Sequence, residues 1–424
     1  MATPVWQGDA IAVAQVQTAT PVNVGTADVF TLTCGGFSVS YTALTGDAVS
    51  DVVTGLTTAW NASTDAPLTE ITAADSSTHV TLTHDTAGVE FVVTGDTTDG
   101  DASDDQDLTI AESTAVVGPN VWCAANFDTG ILPASSDTVI LENSAVDILY
   151  GLDQSAVTLT KLVVRASFTG SVGLPRTASA AAHDAGTAAY VEYRETYLKI
   201  GATNVEYGKG LGTGSPRFKL DNSSIQTTLD VYSTGSSSDN TIGALVWKGT
   251  HAANVVSVNR GNVSICHYSG DVATIATLNI GYVTSPASDS TVRFGTATAT
   301  LTTINQSGGT LVYQNNVTTH TQTAGKSTIG GTATATTLNL DAGTCYYQSS
   351  GTLTTANVGG RGSLDFRQDM RARTVTNCNV YEGFALRDPS KTVAWTNGID
   401  CVRCAPTSGT LDIGEHQTLT PSAI

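Results

Sequence analysis

The sequence predicts a mainly β protein in which a small N-terminal α+β domain is followed by an elongated parallel β-helix. Three observations lead there. Only 13% of the 424 residues are charged, against roughly 25% in an ordinary soluble domain, while Thr, Ser, Ala and Gly are abundant. A short strand of the form Thr-apolar-Asn-apolar recurs through the C-terminal half. Between residues 28 and 63 a hairpin signal is followed by a single amphipathic helix. A chain of this length also exceeds one compact core, which suits an array.

Residues 1–20 lack strong periodicity and are expected to form an extended arm carrying Trp6. Residues 21–118 are expected to fold as a small docking domain. In it Val29–Cys34 and Phe37–Thr42 alternate about Gly35-Gly36, a hairpin pattern. Val49, Val52, Val53, Leu56, Ala59 and Trp60 recur at helical spacing behind Thr45 and Asp47, which are expected to cap the first turn. Further strands are expected at Thr69–Ala73, His79–Thr83 and Val89–Thr94.

Residues 119–150 read as a connector, 151–400 as a β-solenoid and 401–424 as a cap or tail. The rungs align on Thr277-Leu278-Asn279-Ile280, Thr303-Ile304-Asn305-Gln306, Thr337-Leu338-Asn339-Leu340, Thr355-Ala356-Asn357-Val358 and Asn377-Cys378-Asn379-Val380, with a weaker copy near His320. Partner strands follow Gly-containing turns, as in Thr344-Cys345-Tyr346-Tyr347 and Ser363-Leu364-Asp365-Phe366. So short a unit cannot bury its apolar face alone, and stacked copies make one continuous core. The period of two excludes a helical solenoid and puts Leu278, Ile304, Leu338, Ala356 and Cys378 on one inward stack. A series of β-sandwiches is the alternative, because residues 180–270 are irregular.

The formal net charge of −19 argues against nucleic acid as a partner, since a phosphate backbone calls for clustered Lys and Arg. The lack of a long apolar run argues against membrane insertion. The start of the chain has no basic stretch followed by an apolar one, so no secretion signal is expected. Seven dispersed cysteines make no disulfide framework, and Cys401 and Cys404 form a lone CxxC, read as two strand cysteines with a metal or redox pair as the alternative. Six aspartates between Asp96 and Asp107 can hold calcium, but their order does not match the twelve-residue calcium loop. A solvated acidic loop is expected there, and no cofactor. Cleavage of glycans on a β-helix would call for paired carboxylates on neighbouring rungs. Asp289, Asp341, Asp365 and Asp369 fall in different frames, the last two among arginines, and the histidines do not cluster. The Gly-rich Gly208–Pro216 stretch reads as a loop. No catalytic residue is expected.

Two stretches resemble known families. Residues 121–141, "VWCAANFDTGILPASSDTVIL", resemble the Trp…Asn-aromatic…Gly…Pro…Asp-x-Val segment that leads into the β-helices of autotransporter-associated repeat proteins, with Phe127 where that pattern has Trp. Residues 28–63, "DVFTLTCGGFSVSYTALTGDAVSDVVTGLTTAWNAS", resemble a module of phage virion proteins and of planctomycete proteins of prophage type. Neither resemblance brings catalytic residues with it. A rigid rod, a small docking domain, an N-terminal arm and the lack of a secretion signal together lead to the expectation of a structural protein of a virus particle, a capsid decoration protein or a head or tail fibre of a tailed bacteriophage, assembled in the host cytoplasm. The expected partners are sister copies, a trimer among the options, a capsid or tail lattice protein, and a host-surface glycan. Trp6, Trp60 and Trp122 are the expected interface aromatics. A bacterial surface adhesin or filament subunit and a glycan depolymerase are the alternatives.

Overall fold

The computed structural model describes residues 2–100, 105–174, 196–237, 241–281, 290–295, 298–402 and 409–414. Two bodies are visible in its pairing: two small antiparallel sheets in the first 114 residues, and one long run of 21 strands after residue 137.

In the first body, β1 (Val16–Val22), β2 (Val29–Cys34), β3 (Phe37–Thr42), β4 (Ile71–Asp75), β5 (Val80–His84), β6 (Thr94–Thr98) and β7 (Asp107–Thr114) surround one helix, α1 (Val49–Ala62). The sheets run β4-β5-β1-β7 and β3-β2-β6. Gly35 and Gly36 take φ of 61° and 83° between β2 and β3, the pair of positive values that a two-residue hairpin of matching twist requires. Helix α1 buries Val52, Val53, Leu56 and Trp60, and the Trp60 indole donates to the Ile71 carbonyl at 2.8 Å. Gly55 is a close approach: a Cβ there would lie 2.0 Å from the Tyr41 ring, so β3 packs against the helix only because this position is bare.

Several expectations are corrected here. The helix begins after Ala48, whose N–H is held by the Asp51 carboxylate at 2.8 Å. Asp47 instead binds the Tyr41 hydroxyl and the Leu44 N–H. Residues 89–93 form no strand, because the side chains of Gln15 and Gln17 take their backbone groups: Gln15 accepts from Phe91 N–H at 2.6 Å, and Gln17 donates to the Phe91 carbonyl at 2.9 Å. The strand lies one step later, at β6.

The largest correction concerns the N-terminal arm. β1 is an inner strand of its sheet, and residues 2–10 lie on the first rung of the solenoid. Val5 pairs with Ile140, Trp6 N–H donates to the Ile140 carbonyl at 3.0 Å, and Ile140 N–H to the Pro4 carbonyl at 3.1 Å. An open rung is a row of unpaired backbone groups, and the chain covers its own.

From Thr138 to Asp412 every strand pairing among the described residues is parallel, which makes the second body a β-solenoid and excludes sandwiches. One inward column runs Val139, Leu162, Val205, Leu229, Val256, Leu278, Ile304, His320, Leu338, Ala356, Cys378, Ile399, each in register with the next. The solenoid thus begins at Thr138, inside the expected connector, and residues 198–258 continue it despite their irregular sequence. Ile399–Cys401 and Thr410–Asp412 still pair as rungs, so the expected tail begins within the array.

Candidate functional site on the solenoid surface

The three expected interface tryptophans are interior. Trp6, Trp60 and Trp122 are 1%, 1% and 3% exposed. Trp60 belongs to the α+β core. Trp6 and Trp122 stack at 6.1 Å, with Phe127 set edge-on 5.6 and 5.1 Å from them, so these rings close the end of the solenoid core. The resembling segment 121–141 builds this clasp. Asn126, fully buried, donates to the Gly118 and Val121 carbonyls at 2.7 Å each and accepts the Ala10 N–H at 2.8 Å. Asp128 accepts from Val5 N–H, and Asp137 from Ala2 and Ala134 N–H. Those N–H bonds hold the Asp137 carboxyl below its ordinary range.

The inward residues Leu278, Ile304, Leu338, Ala356 and Cys378 are 0–2% exposed. A polar cluster interrupts their column. His320 and Gln306, both at most 1% exposed, occupy adjacent inward columns, with Gln322 on the rung of His320. The Gln306 amide N–H₂ lies on the Gly308, Gly309 and Lys326 carbonyls, which leaves its oxygen facing His320 Nε2 at 3.3 Å. That nitrogen therefore carries the proton, and Nδ1 accepts the Tyr313 hydroxyl at 3.2 Å. Every ring position is satisfied in the neutral form, and burial pushes the His320 pKa down to about 3. Gln322 closes a second loop in the same way, donating to the Gly325 and Thr344 carbonyls and accepting from Ser327. These groups are buried and mutually satisfied, and we read the cluster as structural.

The outward side carries a different order. Beside the Leu278 column, the outward pair of each rung from Thr277 to Asn379 is Thr or Asn: Thr277/Asn279, Thr303/Asn305, Thr319/Thr321, Thr337/Asn339, Thr355/Asn357, Asn377/Asn379, all in register. The amides form a ladder. Asn379 donates to Asn357 and Asn357 to Asn339, each at 2.8 Å, Asn339 to Thr321 at 3.3 Å, Asn305 to Asn279 at 3.0 Å, and Asn279 to Ser257 at 3.2 Å.

The same outward column continues back to Asp230 and Glu206, stacked on adjacent rungs. Two like charges in register repel. Lys161 relieves this by meeting Glu206 at 2.7 Å, with Lys209 at 3.9 Å. Lys161's hydrogen bond holds Glu206 below its ordinary range, whereas burial and then the Glu206 charge push Asp230 up. A carboxyl pair with opposed shifts is the pattern of an acid and a base. The pair lies upstream of Asp289, Asp341, Asp365 and Asp369, the acids singled out from the sequence. Thr228-Leu229-Asp230-Val231 has the rung form with Asp in the Asn position and was the signal available.

The acids that the sequence singled out lie apart from this pair. Arg367 clasps Asp365 at 2.7 Å; burial raises the Asp365 pKa, but the bonds from Arg367 outweigh it and the net shift is downward. Arg371 holds Asp369 at 2.7 Å and lowers its pKa to about 2. Asp341 is exposed, and Asp289 lies outside the described residues. Cys401 is buried in the inward column that contains Val380, while Cys404 lies outside the described residues. Asp101 and Asp104 of the acidic stretch also lie outside, and among the described residues no group of three or more His, Cys, Asp or Glu is placed to hold a metal ion. No helix among them is long and apolar enough to cross a membrane.

Comparison with family models, with curated proteins and with solved structures gives no match for the chain.

Proposed function

We propose that the chain is a structural protein of a virus particle, of the tailed-bacteriophage kind: a capsid decoration or fibre protein that docks by its N-terminal region and projects a rigid β-rod. One observation carries the reading. Twelve in-register rungs, a stack of roughly 50 Å at about 4.8 Å per step, are fused to a compact α+β domain by a clasp made within the chain. A rod with one closed end suits projection from a surface. Since Trp6 and Trp122 are spent on the clasp, docking on a lattice protein or on sister copies falls to the outer surface of the α+β domain. Such a role needs no turnover, so the chain is read as a non-enzyme without cofactor.

The test is direct. Particles purified from the source and digested should yield peptides of this chain at stoichiometric abundance by mass spectrometry. If the particles lack it, the virion reading is abandoned, and a bacterial surface adhesin or filament subunit takes its place.

A further inference from the structure

The Thr/Asn face of the solenoid has an unusual chemistry for this molecule. In a chain of net charge −19, the twelve outward positions from Thr277 to Asn379 carry neither a charged nor an apolar side chain. Such a face offers no hydrophobic drive toward another protein, whose binding hot spots want aromatic or Arg anchors in apolar surroundings. It also offers nothing to an anion or a cation. What it does present is a two-column lattice of hydroxyls and amides. The columns repeat at about 4.8 Å along the rod and stand about 6.7 Å apart, two residues along a strand. Within the ladder Asn279, Asn339 and Asn357 each spend one N–H and one oxygen lone pair on their neighbours, and Asn305 and Asn379 one N–H, so a second N–H and a lone pair of each stay available.

One aromatic residue stands at the edge of this lattice. Tyr381 is the next outward residue after Asn379 and is 38% exposed. Its N–H is fixed on the Val358 carbonyl at 2.8 Å, and its side chain lies over Gly359, where a Cβ would come within 2.9 Å of it. The bare glycine lets the ring pack low against the rung that carries Asn357. A flat ring next to fixed amide donors and acceptors is a seat for a sugar, with the pyranose C–H face on the ring and its hydroxyls on the amides.

We propose that this face binds a neutral, unbranched polysaccharide in extended form, laid along the rod, with one pyranose unit per rung and Tyr381 stacking under one of them. The rung step is close to the advance of one ring in an extended β-linked chain, so each sugar meets a pair of Thr or Asn side chains, alternate rings offering the same edge. The proposal rests on the reading of the rod as the exposed half of the molecule, but its test needs no particle.

The full chain is titrated by calorimetry with hexamers of β-1,4-linked glucose, mannose, xylose and N-acetylglucosamine, and with hexagalacturonate as the anionic control. At least one neutral hexamer should bind, with the anionic one at least tenfold weaker. The double variant Thr337→Glu/Thr355→Glu sets two carboxylates on the lattice at outward positions and should weaken binding at least tenfold, as should Tyr381→Ala. Thr344→Glu, farther along the strand of Thr337 and past its register shift, should leave it unchanged, and all variants should melt within a few degrees of the wild type. Absence of binding to every neutral hexamer, or binding indifferent to both face variants, overturns the proposal. Neither result bears on whether the chain is found in particles.

Discussion

Replacing His320 with Leu tests whether a neutral histidine is built into the core. At pH 7.5 the change strips partners from the Tyr313 hydroxyl and the Gln306 carbonyl oxygen, both buried. Each orphaned group costs about 1–3 kcal/mol, partly offset by the added apolar side chain. The pH dependence is the sharper signature. In the unfolded chain the imidazole titrates near 6.5, whereas in the folded protein burial holds it near 3. As pH falls, the unfolded chain binds the proton first. The histidine's contribution is therefore fully present above about pH 6.5 and is lost progressively down to about pH 3. Each pH unit in that window removes about 1.4 kcal/mol, so about 2.7 kcal/mol is gone by pH 4.5. The Leu variant has no such proton to bind. The stability gap between wild type and variant should narrow by about that amount between pH 7.5 and 4.5, while the carboxylates common to both cancel. Guanidinium unfolding followed by circular dichroism at each pH measures the gap. A gap independent of pH would refute the neutral, buried imidazole.

Other expectations follow from the same geometry. Leu338→Asp puts an unpaired charge between the His320 and Ala356 rungs and should abolish soluble expression or lower the melting temperature sharply; an unchanged melt would mean that the register is wrong. Trp6→Ala removes a ring from the Trp122–Phe127 cluster, at a cost of about 3–5 kcal/mol, and hydrogen exchange at the Ile140 amide should accelerate while that at Leu338 does not. Asn357→Ala breaks two ladder bonds at partly exposed positions and should lower stability by only about 1–2 kcal/mol in chemical denaturation. Incubation with glycan polymers should release no reducing ends; turnover abolished by Asp230→Asn would instead make the Glu206–Asp230 pair an active site.

The rungs from Thr277 to Val380 were legible in the sequence because their outward residues are almost all Thr or Asn and their inward ones mostly apolar, so the period of two shows. Earlier rungs hid the same geometry: Asn204-Val205-Glu206-Tyr207 and Val255-Val256-Ser257-Val258 keep the inward pattern but vary outward. His320 and Gln306 blurred two rungs, since an inward polar residue is tolerable only with partners that lie elsewhere in the chain. The N-terminal segment misled for a related reason. Trp6 stands among polar neighbours, and its packing partners Trp122 and Phe127 lie more than a hundred residues away. No local pattern could reveal that contact. The carboxyl pair went unseen because adjacency across rungs requires the register of both strands.

The clasp also sets an order of events during synthesis. Residues 2–8 leave the ribosome well before the groups that hold them, Asn126, Asp128, Asp137 and Ile140, which emerge more than a hundred residues later. Until then residues 2–8 lack these partners, while the strands of the α+β domain are already out. Once residue 141 is out, the ring closes and presents a finished strand edge. Each later rung then has a template as soon as it appears. Residues 2–8 thus act as a latch on a growing stack, and a chain whose latch fails would begin its rod on an unguarded edge, open to pairing with the next nascent chain.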